Sequence, residues 1–490
     1  MTAINPESVL PLRGFLIGGE HVPETPDGHM PHVNPATGKV QASFAVAGAD
    51  DVDRAVAAAR AAAPAWAAVS PRDRRELLLK MADVIEAHTS ELAQICTLEN
   101  GTPSSFSDFA GAVVPADWFR YYAGWVDKLA GEVIPSYDAN TFDYTRLEPH
   151  GVVGVFSAFN SPSSFFGMKL APALAAGNTV VVKPSELAPF STLRMAELAL
   201  EAGFPPGVVN VVTGAAECGA ALASHPDVDK LTFTGSAATA RHILTAAAAN
   251  LTPVTLELGG KSAAMIFADA DLDNAVATCV QTGMLILSGQ ACAAGTRMLV
   301  ERSVYDEVVE TVIALASPDF VGDPQDPSVL MGPVINEAAC DRILGMVQRA
   351  REQGSGDLLV GGERLDGDLA NGYFIPPTVF SNVDPDSELA QEEVFGPVMS
   401  IIPFDTESEA IEIANNSRYG LAGFAYTSNL ARAHRVAAAI DTGFMSINTF
   451  NPIPSNTPFG GVKGSGFGKE GGYDGIKEMT RTKNVCIKLI

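Results

Sequence analysis

Paired cysteines and long apolar runs are both missing from this chain of 490 residues. Its six cysteines lie far apart, with no Cys-x-x-Cys pair and no His-Glu-x-x-His motif, so neither a disulfide framework nor a zinc site is indicated. No run approaches the roughly 18 apolar residues of a membrane helix, and the first 14 residues lack the apolar segment of a secretion signal. We expect a soluble, cytoplasmic protein with reduced thiols and no bound metal.

Basic residues are also scarce. The chain has 32 Lys and Arg against 57 Asp and Glu, a net charge of -25. Nucleic-acid binding needs clustered Lys and Arg, so this balance argues against such a partner, and solubility explains the charge more simply. With 47% hydrophobic and 18% charged residues, the composition is that of a globular protein. The length suggests two to four domains of about 100 to 200 residues each.

The order of patterns along the chain predicts an α/β protein. Helical spacing of apolar residues covers 51–66, 72–96 and 115–130, and after residue 150 short apolar runs alternate with helical segments. That alternation is typical of βαβ units with a parallel sheet. Strands are predicted at 152–156, 179–182, 208–212, 230–233, 254–258, 263–267, 297–300, 378–380, 398–404 and 481–490, and a further helix at 271–287. The last of these strands stands where it can pair across a subunit interface.

Two motifs look like nucleotide-binding loops without the context that such loops need. Residues 466–471 match the dinucleotide fingerprint Gly-x-Gly-x-x-Gly, but only 19 residues follow, too few for a βαβ unit. Residues 260–262 read Gly-Lys-Ser, yet Thr255 stands where a phosphate loop needs glycine. We therefore assign neither motif a nucleotide.

One cysteine lies in a setting suited to a nucleophile. Residues 288–297 read Ser-Gly-Gln-Ala-Cys-Ala-Ala-Gly-Thr-Arg, which places Cys292 among small residues. Small neighbours leave the thiol open and let backbone N–H groups approach whatever the sulfur attacks. A buried structural cysteine is the alternative, because free cysteine is among the most buried residue types.

Glu257 stands near the end of an apolar strand that stops at two glycines. Alternation places Glu257 and Thr255 on one face of the strand and the apolar residues on the other. Partial desolvation there would raise the pKa of the carboxyl group towards the range of a general base. The alternative is a glutamate that pairs with a neighbouring lysine.

Polar side chains also follow two other predicted strands. Asn160 comes after strand 152–156, where its amide could donate to an oxyanion, although Asn before a turn is often only turn chemistry. Lys183 and Glu186 end strand 179–182, where they could meet the phosphate or ribose of a nucleotide. A solvated surface pair is the alternative for these two.

A longer series of short motifs runs through nearly the whole chain in a fixed order. The stretches are 170–178 (Leu-Ala-Pro-Ala-Leu-Ala-Ala-Gly-Asn), Lys183 with Glu186, 233–236 (Phe-Thr-Gly-Ser), 257–260 (Glu-Leu-Gly-Gly), 289–292 (Gly-Gln-Ala-Cys), 392–397 (Glu-Glu-Val-Phe-Gly-Pro) and 458–463 (Pro-Phe-Gly-Gly-Val-Lys) with Ser465 and Gly466. Each motif is weak alone, but the ordered set is highly specific. In this set the chain closely resembles the NAD(P)-dependent aldehyde dehydrogenase superfamily.

The resemblance implies a role for individual residues. Cys292 would be the nucleophile, Glu257 the base, and Asn160 with the Cys292 N–H the oxyanion site, while Lys169 matches a family lysine suggested to relay protons. The implied cofactor residues are Lys183, Ser185, Glu186, Gly235, Ser236, Leu258, Gly259, Glu393 and Phe395. Because Glu186 would bind the ribose hydroxyls and repel a 2′-phosphate, NAD is the expected cofactor and NADP the alternative.

The chain departs from the family pattern around the substrate tunnel. Phe159 and Ser161 flank the oxyanion Asn where Trp and Phe are common, and Leu285 replaces a frequent Phe. Ala240 replaces a second glycine at the phosphate end of the cofactor site. The implied substrate pocket is mostly apolar, which favours uncharged aliphatic or aromatic aldehydes. Its residues are Phe165, Met168, Asn451, Ile453 and Phe459.

The resemblance also implies an aldehyde dehydrogenase-like α/β fold that assembles as a homodimer or homotetramer. A Rossmann-type cofactor-binding domain would span 1–133 and 150–258, and an α/β catalytic domain 259–448. A small β oligomerisation element with the C-terminal tail would span 134–149 and 449–490. No nucleic-acid or membrane partner is expected.

The implied reaction oxidises an aldehyde to a carboxylic acid through a cysteine thiohemiacetal and a thioester. Three alternatives remain. A semialdehyde could be the substrate; a CoA-acylating enzyme is disfavoured by Glu257; a non-catalytic NAD-binding relative is disfavoured by the joint presence of Cys292, Glu257 and Asn160.

Overall fold

The computed structural model describes residues 4–10, 14–450 and 453–489. The α-helices in these ranges are α1 (Pro6–Val9), α2 (Ala49–Ala68), α3 (Pro71–Ala87), α4 (Thr89–Asn100), α5 (Ser104–Asp108), α6 (Val114–Ala123), α7 (Pro162–Ala176), α8 (Phe190–Ala202), α9 (Ala216–Ala223), α10 (Ala237–Ala248), α11 (Leu272–Val280), α12 (Tyr305–Leu315), α13 (Glu337–Gln353), α14 (Glu388–Gln391), α15 (Glu407–Asn415), α16 (Leu430–Ala439) and α17 (Gly472–Glu478). None of the helices in the described ranges has the length and apolar character of a membrane span.

The strands of the same ranges form four sheets. They are β1 (Phe15–Ile17), β2 (Glu20–Val22), β3 (His29–Asn34), β4 (Lys39–Ala45), β5 (Val133–Ile134), β6 (Thr141–Pro149), β7 (Val152–Phe156), β8 (Thr179–Lys183), β9 (Val209–Val211), β10 (Lys230–Thr234), β11 (Val254–Glu257), β12 (Ala263–Ile266), β13 (Arg297–Glu301), β14 (Asp357–Val360), β15 (Thr378–Ser381), β16 (Val398–Phe404), β17 (Ala422–Tyr426), β18 (Phe444–Ile447), β19 (Gly466–Phe467) and β20 (Thr480–Lys488).

The largest sheet has eight strands in the order β19-β11-β10-β7-β8-β9-β1-β2. Its five central strands are parallel, and β1, β2 and β19 pair antiparallel at the two edges. Helices cover both faces, so every residue of β7, β8 and β10 is buried. The carboxyl ends of four strands therefore meet at one edge, which is where open α/β sheets bind ligands. The end residues are Phe156, Lys183, Thr234 and Glu257.

A second sheet has seven strands in the order β14-β15-β16-β13-β12-β17-β18, parallel except for β14. A third sheet, β20-β6-β5, joins the last strand of the chain to residues 141–149 in antiparallel register. The fourth is the β3-β4 hairpin. The mixture of helix-covered parallel sheets confirms the predicted α/β class, and the proposed domain boundaries stay a prediction.

Three predicted helices differ from the helices observed: one is divided in two, and two end early. The helix predicted at 72–96 is two helices that meet at His88, where the Thr89 hydroxyl bonds the Glu86 carbonyl at 2.7 Å and competes with the helical ladder. The helix predicted at 115–130 ends at Ala123, before Gly124. The helix predicted at 271–287 is α-helical only to Val280 and then widens into a π turn.

Helix α7 is the most enclosed helix of the fold, because all of its fifteen residues are buried. It packs against α6 at Gly167, where an added Cβ would lie 2.6 Å from the Cα of Pro115. Backbone cannot yield as a flexible side chain can, so the two helices cross closely only because this residue has no side chain.

Gly167→Ala is expected to lower the free energy of unfolding by about 1–3 kcal/mol through overpacking at this crossing. The matched control is Gly345→Ala in α13, where the added Cβ would approach only the flexible end of Arg349, at 3.5 Å. There the gain in helix propensity should stabilise the protein by roughly 0.5–1 kcal/mol. Thermal and urea unfolding of both variants measure the effect. A Gly167→Ala protein as stable as wild type would contradict the close crossing.

Candidate active site

The segment before Cys292 has an unusual backbone. After α11 the chain passes through a π turn at 281–285 and a short 3-10 helix at 286–289. Leu287, Ser288 and Gly289 then take φ values of 51°, 55° and 68° in succession. Residues with side chains avoid this left-handed region at a cost of about 1–2 kcal/mol each, so the surrounding structure must hold the turn in place.

Hydrogen bonds to the segment 332–335 hold that turn. The Ser288 hydroxyl donates to the carbonyl of Gly332 at 2.7 Å, and Gln290 accepts the N–H of Ile335 through Oε1 at 3.0 Å. Both side chains are buried. The loop that carries Cys292 is thus anchored at Ser288 and Gln290.

Asn160 reaches this loop from the end of β7. Its Nδ2 donates to the carbonyl of Gln290 at 2.8 Å, while Asn100 bonds the Phe159 and Asn160 carbonyls at 3.1 and 3.3 Å. The partner of the Asn160 amide is 130 residues away, so the side chain does not merely close a local turn. The amide has a second N–H, which this bond leaves unused.

Glu257 ends β11 with a buried carboxylate. Neither of its oxygens has a hydrogen-bond partner in the described part of the chain, which rules out the alternative of a simple pair with a lysine. Burial raises the pKa of this carboxyl group well above its ordinary value, and the charge of Glu470 raises the pKa further, against the effects of Lys169 and Lys469. A buried acid without partners is free to exchange a proton with a ligand or water.

Two glycines let the other groups approach the end of β11. A Cβ on Gly259 would lie 1.9 Å from Oε2 of Glu393, and a Cβ on Gly260 would lie 2.7 Å from the carbonyl of Cys292. The Gly260 N–H donates to the Glu393 carboxylate at 3.1 Å. The glycine pair thus brings the Cys292 loop and Glu393 against the strand that carries Glu257.

Cys292 is half-buried, in contrast to the buried Cys96, Cys218, Cys279 and Cys340. Burial raises the pKa of Cys292 to about 12, and the charges of Glu393 and Glu257 also raise this pKa. Hydrogen bonds from the backbone N–H groups of Ala293 and Cys292 lower the pKa of the thiol and so offset part of this rise. Because acids rather than cations surround the sulfur, the resting group at neutral pH is the thiol.

Lys169 lies in the buried helix α7 and is fully enclosed. Its Nζ donates to the hydroxyl of Thr232 at 2.9 Å and forms a buried ion pair with Glu470. The charges of both members of the pair act on the pKa of Glu257. Lys169 is therefore electrostatically linked to the carboxylate at the end of β11.

The residues predicted to hold a cofactor follow the carboxyl edge of the first sheet. Lys183 is buried at the end of β8, and its Nζ lies 3.0 Å from Oε2 of the half-exposed Glu186. Ser236 caps α10 by accepting the N–H of Thr239 at 3.2 Å, and a helix N-terminus of this kind attracts phosphate. Phe395 has a left-handed backbone, with φ 47°.

The remaining predicted cofactor residues tie neighbouring segments together. The N–H of Ser185 donates to the Ser157 carbonyl at 3.1 Å. The N–H of Gly235 donates to the carbonyl of Glu257 at 3.1 Å, and Leu258 donates to Ser465 at 3.0 Å. The polar edge from β8 to β11 thus forms a continuous frame whose groups suit a dinucleotide.

The predicted substrate residues lie in two apolar clusters on either side of the site. Phe165 and Met168 belong to the core around the first sheet, and Phe459 belongs to the cluster that contacts Cys292. Ile453 contacts both clusters. Asn451 lies outside the described residues.

Several contact residues at the site were not identified as functional from the sequence. Glu470 is the main example: it lies in the glycine-rich motif that lacked the context of a dinucleotide loop. A lysine in an entirely buried helix signals that a buried anion must exist, but no local pattern shows where that anion lies. Gln290, Ser288 and Ser465 likewise act through contacts with distant segments.

Comparisons with known proteins show which family and which solved structures this chain resembles. A family model described as the aldehyde dehydrogenase family matches residues 21–485. PnpE from Pseudomonas sp. WBC-3 is 43% identical, with a TM-score of 0.95 over 98% of both chains, and PnpE has also been determined in complex with nicotinamide adenine dinucleotide.

Two further solved structures are similar. A betaine aldehyde dehydrogenase from Staphylococcus aureus in complex with NAD+ is 36% identical, with a TM-score of 0.96 over 99% of this chain and 97% of that one. A point mutant of an aldehyde dehydrogenase from Bacillus cereus is 39% identical, with a TM-score of 0.96 over 100% and 99%. These matches confirm the predicted fold.

Alkylation of Cys292 by iodoacetamide is expected to accelerate steadily with pH and to show no plateau below about pH 10, because the thiolate is the reactive form and burial raises its pKa. Peptide mass spectrometry of the protein without added ligands measures labelling at this residue. The exposed Cys486 serves as the internal control for reagent access. A labelling rate that levels off at or below pH 8 would contradict the resting thiol.

Proposed function

The chain belongs to the aldehyde dehydrogenase family of NAD(P)-dependent oxidoreductases, and we propose that it oxidises an uncharged aliphatic or aromatic aldehyde to the carboxylic acid with NAD. The observation that carries the proposal is the meeting of three groups. They are the anchored Cys292 loop, the Asn160 amide bonded to that loop, and the buried, unpaired carboxylate of Glu257.

The cofactor half of the proposal rests on the frame at the carboxyl edge of the first sheet. Glu186 and Lys183 would bind the adenosine ribose, and Ser236 at the start of α10 a phosphate. Glu393 and Phe395 would hold the nicotinamide half. Two relatives have been determined with this dinucleotide bound. When bound, NAD+ supplies the acceptor for the hydride that leaves the substrate carbon.

In the first step the Cys292 sulfur attacks the aldehyde carbon. A C–S bond forms, the thiol proton leaves to a base, and the carbonyl oxygen becomes an alkoxide. The free N–H of Asn160 and the Cys292 N–H would stabilise this alkoxide, as preorganised donors do in acyl transfer. Because burial and nearby acids raise the pKa of the thiol, we expect the attack to accelerate as pH rises.

The tetrahedral intermediate then loses hydride and becomes a thioester on Cys292. Glu257 would deprotonate a water molecule that attacks the thioester carbon, which breaks the C–S bond and releases the acid. A raised pKa keeps the Glu257 proton affinity high, which suits a base that must take a proton from water. Its base form increases as pH rises, so both steps favour alkaline conditions.

Lys169 would help move the protons that Glu257 collects. Its ion pair with Glu470 and its bond to Thr232 lie behind the end of β11, and the charges of the pair act on Glu257. A buried chain of polar groups of this kind can pass protons away from an apolar site.

The substrate half of the proposal rests on the apolar character of the described pocket. Phe459 packs against Phe444 with ring centroids 5.7 Å apart, and Phe424 against Phe450 at the same distance. Cys292 contacts this aromatic cluster. Apolar walls bind uncharged carbon chains and rings and give a carboxylate no partner.

We also propose that the protein is a homodimer or homotetramer. Strand β20 pairs with β6 on one side and with no other strand in the described ranges. Apolar side chains of this sheet are exposed, among them Phe142 and Ile487. An open strand edge with exposed apolar groups is a surface suited to a second subunit.

Glu257→Gln is expected to give a burst of one NADH per active site followed by steady turnover slowed at least about 100-fold, because thioester formation survives and hydrolysis loses its base. Rapid-mixing absorbance at 340 nm measures burst and steady rate. Cys292→Ala is the matched control, since it should bind NAD and show neither burst nor turnover. An unchanged steady rate in Glu257→Gln would remove its role as the base.

A panel of aldehydes with NAD and NADP tests the substrate assignment. Benzaldehyde and hexanal are expected to exceed succinic semialdehyde by about tenfold or more in kcat/KM, because none of the residues predicted to line the pocket is a cation that could bind a second carboxylate. Betaine aldehyde tests the alternative suggested by the Staphylococcus relative, and added CoA tests the acylating alternative. Faster turnover of the semialdehyde, or acceleration by CoA, would contradict the proposed function.

A further inference from the structure

A histidine far from the site in sequence contacts the loop that carries Glu186. His32 lies on β3 and is buried. Its Nε2 is 3.1 Å from the carbonyl oxygen of Leu187, the residue after Glu186, and 3.1 Å from the carbonyl oxygen of Glu99. Two carbonyls, from the end of α4 and from the loop after β8, therefore meet at one N–H group.

The proton on this imidazole has a fixed place. Gln41 donates through Nε2 to Nδ1 of His32 at 3.2 Å and to the carbonyl of Leu98 at 2.6 Å. Asn34 fixes the orientation of the Gln41 amide by donating to its oxygen at 2.9 Å. Because Nδ1 accepts, Nε2 carries the hydrogen and donates to both carbonyls. Burial lowers the pKa of His32 to about 4, so the ring stays neutral at physiological pH.

The hairpin is shaped to make this contact. The register of β3 against β4 shifts between His32 and Val33, which leaves Gln41 as an extra residue on the opposite strand. A β-bulge re-aims the side chains around it, and here it puts the imidazole and its orienting amide in contact. The ring of Phe190 packs edge-on against the imidazole at 5.2 Å.

The same loop is held at its far end by Glu99. The Glu99 carboxylate accepts the N–H groups of Phe190 and Ser191 at 2.8 and 3.2 Å, at the start of α8. Glu99, whose carbonyl accepts the His32 N–H, thus also holds the start of helix α8 through its carboxylate. A cavity of about 460 Å³ is lined by His32, Glu186 and Leu187, so open space adjoins the loop on this side and the bond from His32 is one of the contacts that hold it.

We propose that His32 is a positioning residue for the cofactor site: its Nε2–H ties the Leu187 carbonyl to the Glu99 carbonyl and thereby fixes Glu186 for the ribose hydroxyls. The inference rests on the proposed function, in which Glu186 binds the adenosine ribose. It adds that the N-terminal hairpin sets the affinity for NAD and the discrimination against a 2′-phosphate.

His32→Leu removes the donor and keeps a similar volume. The two carbonyls then repel each other, the loop shifts, and the Kd of NAD is expected to rise about tenfold. Fluorescence quenching by NAD without aldehyde measures this Kd. The KM of NAD should rise in parallel while kcat at saturating NAD stays within about twofold, because Cys292 and Glu257 are untouched. The preference for NAD over NADP in kcat/KM should fall.

Thr179→Val is the matched control. The buried Thr179 hydroxyl donates to the carbonyl of Ala59 at 3.0 Å, at the opposite end of the strand that leads into the loop. Its loss should lower the melting temperature without changing the Kd of NAD. An equal loss of NAD affinity in Thr179→Val would show a general structural effect and overturn the positioning role.

Two more variants complete the test. His32→Gln supplies a substitute N–H and should restore most of the affinity. In a Glu186→Ala background, His32→Leu should have no further effect on the Kd of NAD, because its effect passes through Glu186. If His32→Leu does not fold, Gln41→Leu replaces it in the test. This variant removes the donor that fixes the tautomer of His32, and it must weaken NAD binding.

The outcomes separate this inference from the proposed function. If His32→Leu binds NAD as tightly as the wild-type protein does, the role of His32 is overturned. The proposed oxidation of aldehydes is not affected by that result. A wild-type protein that oxidises none of the aldehydes overturns the proposed function, and the binding experiment still decides whether His32 sets the affinity for NAD.

Discussion

A carboxylate kept from water without a hydrogen-bond partner is the constraint on which the site depends. Glu257 stands where a strand with three buried residues out of four ends, and its environment favours the protonated form. The cost of this arrangement is lowered by the neighbouring Lys169, whose own charge is balanced by Glu470. The first sheet thus carries Glu257, helix α7 carries Lys169, and the segment 466–471 carries Glu470. The charges of Lys169 and Glu470 both act on Glu257, which retains a high affinity for protons.

The cysteine loop and the cofactor loop are held by the same kind of contact. In each case a turn beside the site is fixed by hydrogen bonds from a distant segment: Ser288 and Gln290 bind residues 332–335, and His32 binds Leu187. The turn before Cys292 is not stable by local preference, since Leu287 and Ser288 take left-handed conformations. Precise geometry at the site therefore comes from tertiary hydrogen bonds rather than from the propensities of the loops themselves.

Much of the architecture could be predicted from the chain alone, because buried parallel strands such as β7, β8 and β16 are continuous apolar runs with clear ends. The short edge strands β1, β2 and β19, of two or three residues each, were not predicted, and neither was the buried strand β17. The motif order identified the segments of the site. It could not show that Glu393 and Glu257 raise the pKa of Cys292, or that Glu470 pairs with Lys169, because such long-range contacts arise only when the segments fold together.

The pairing of Lys169 with Glu470 joins residues 301 positions apart. During synthesis on the ribosome, helix α7 emerges long before its counter-charge, and an unpaired ammonium cannot be enclosed in an apolar interior at tolerable cost. The same late segment supplies β19, which closes an edge of the first sheet beside β11. The first sheet and helix α7 therefore complete their packing only after the segment 466–470 has been synthesised.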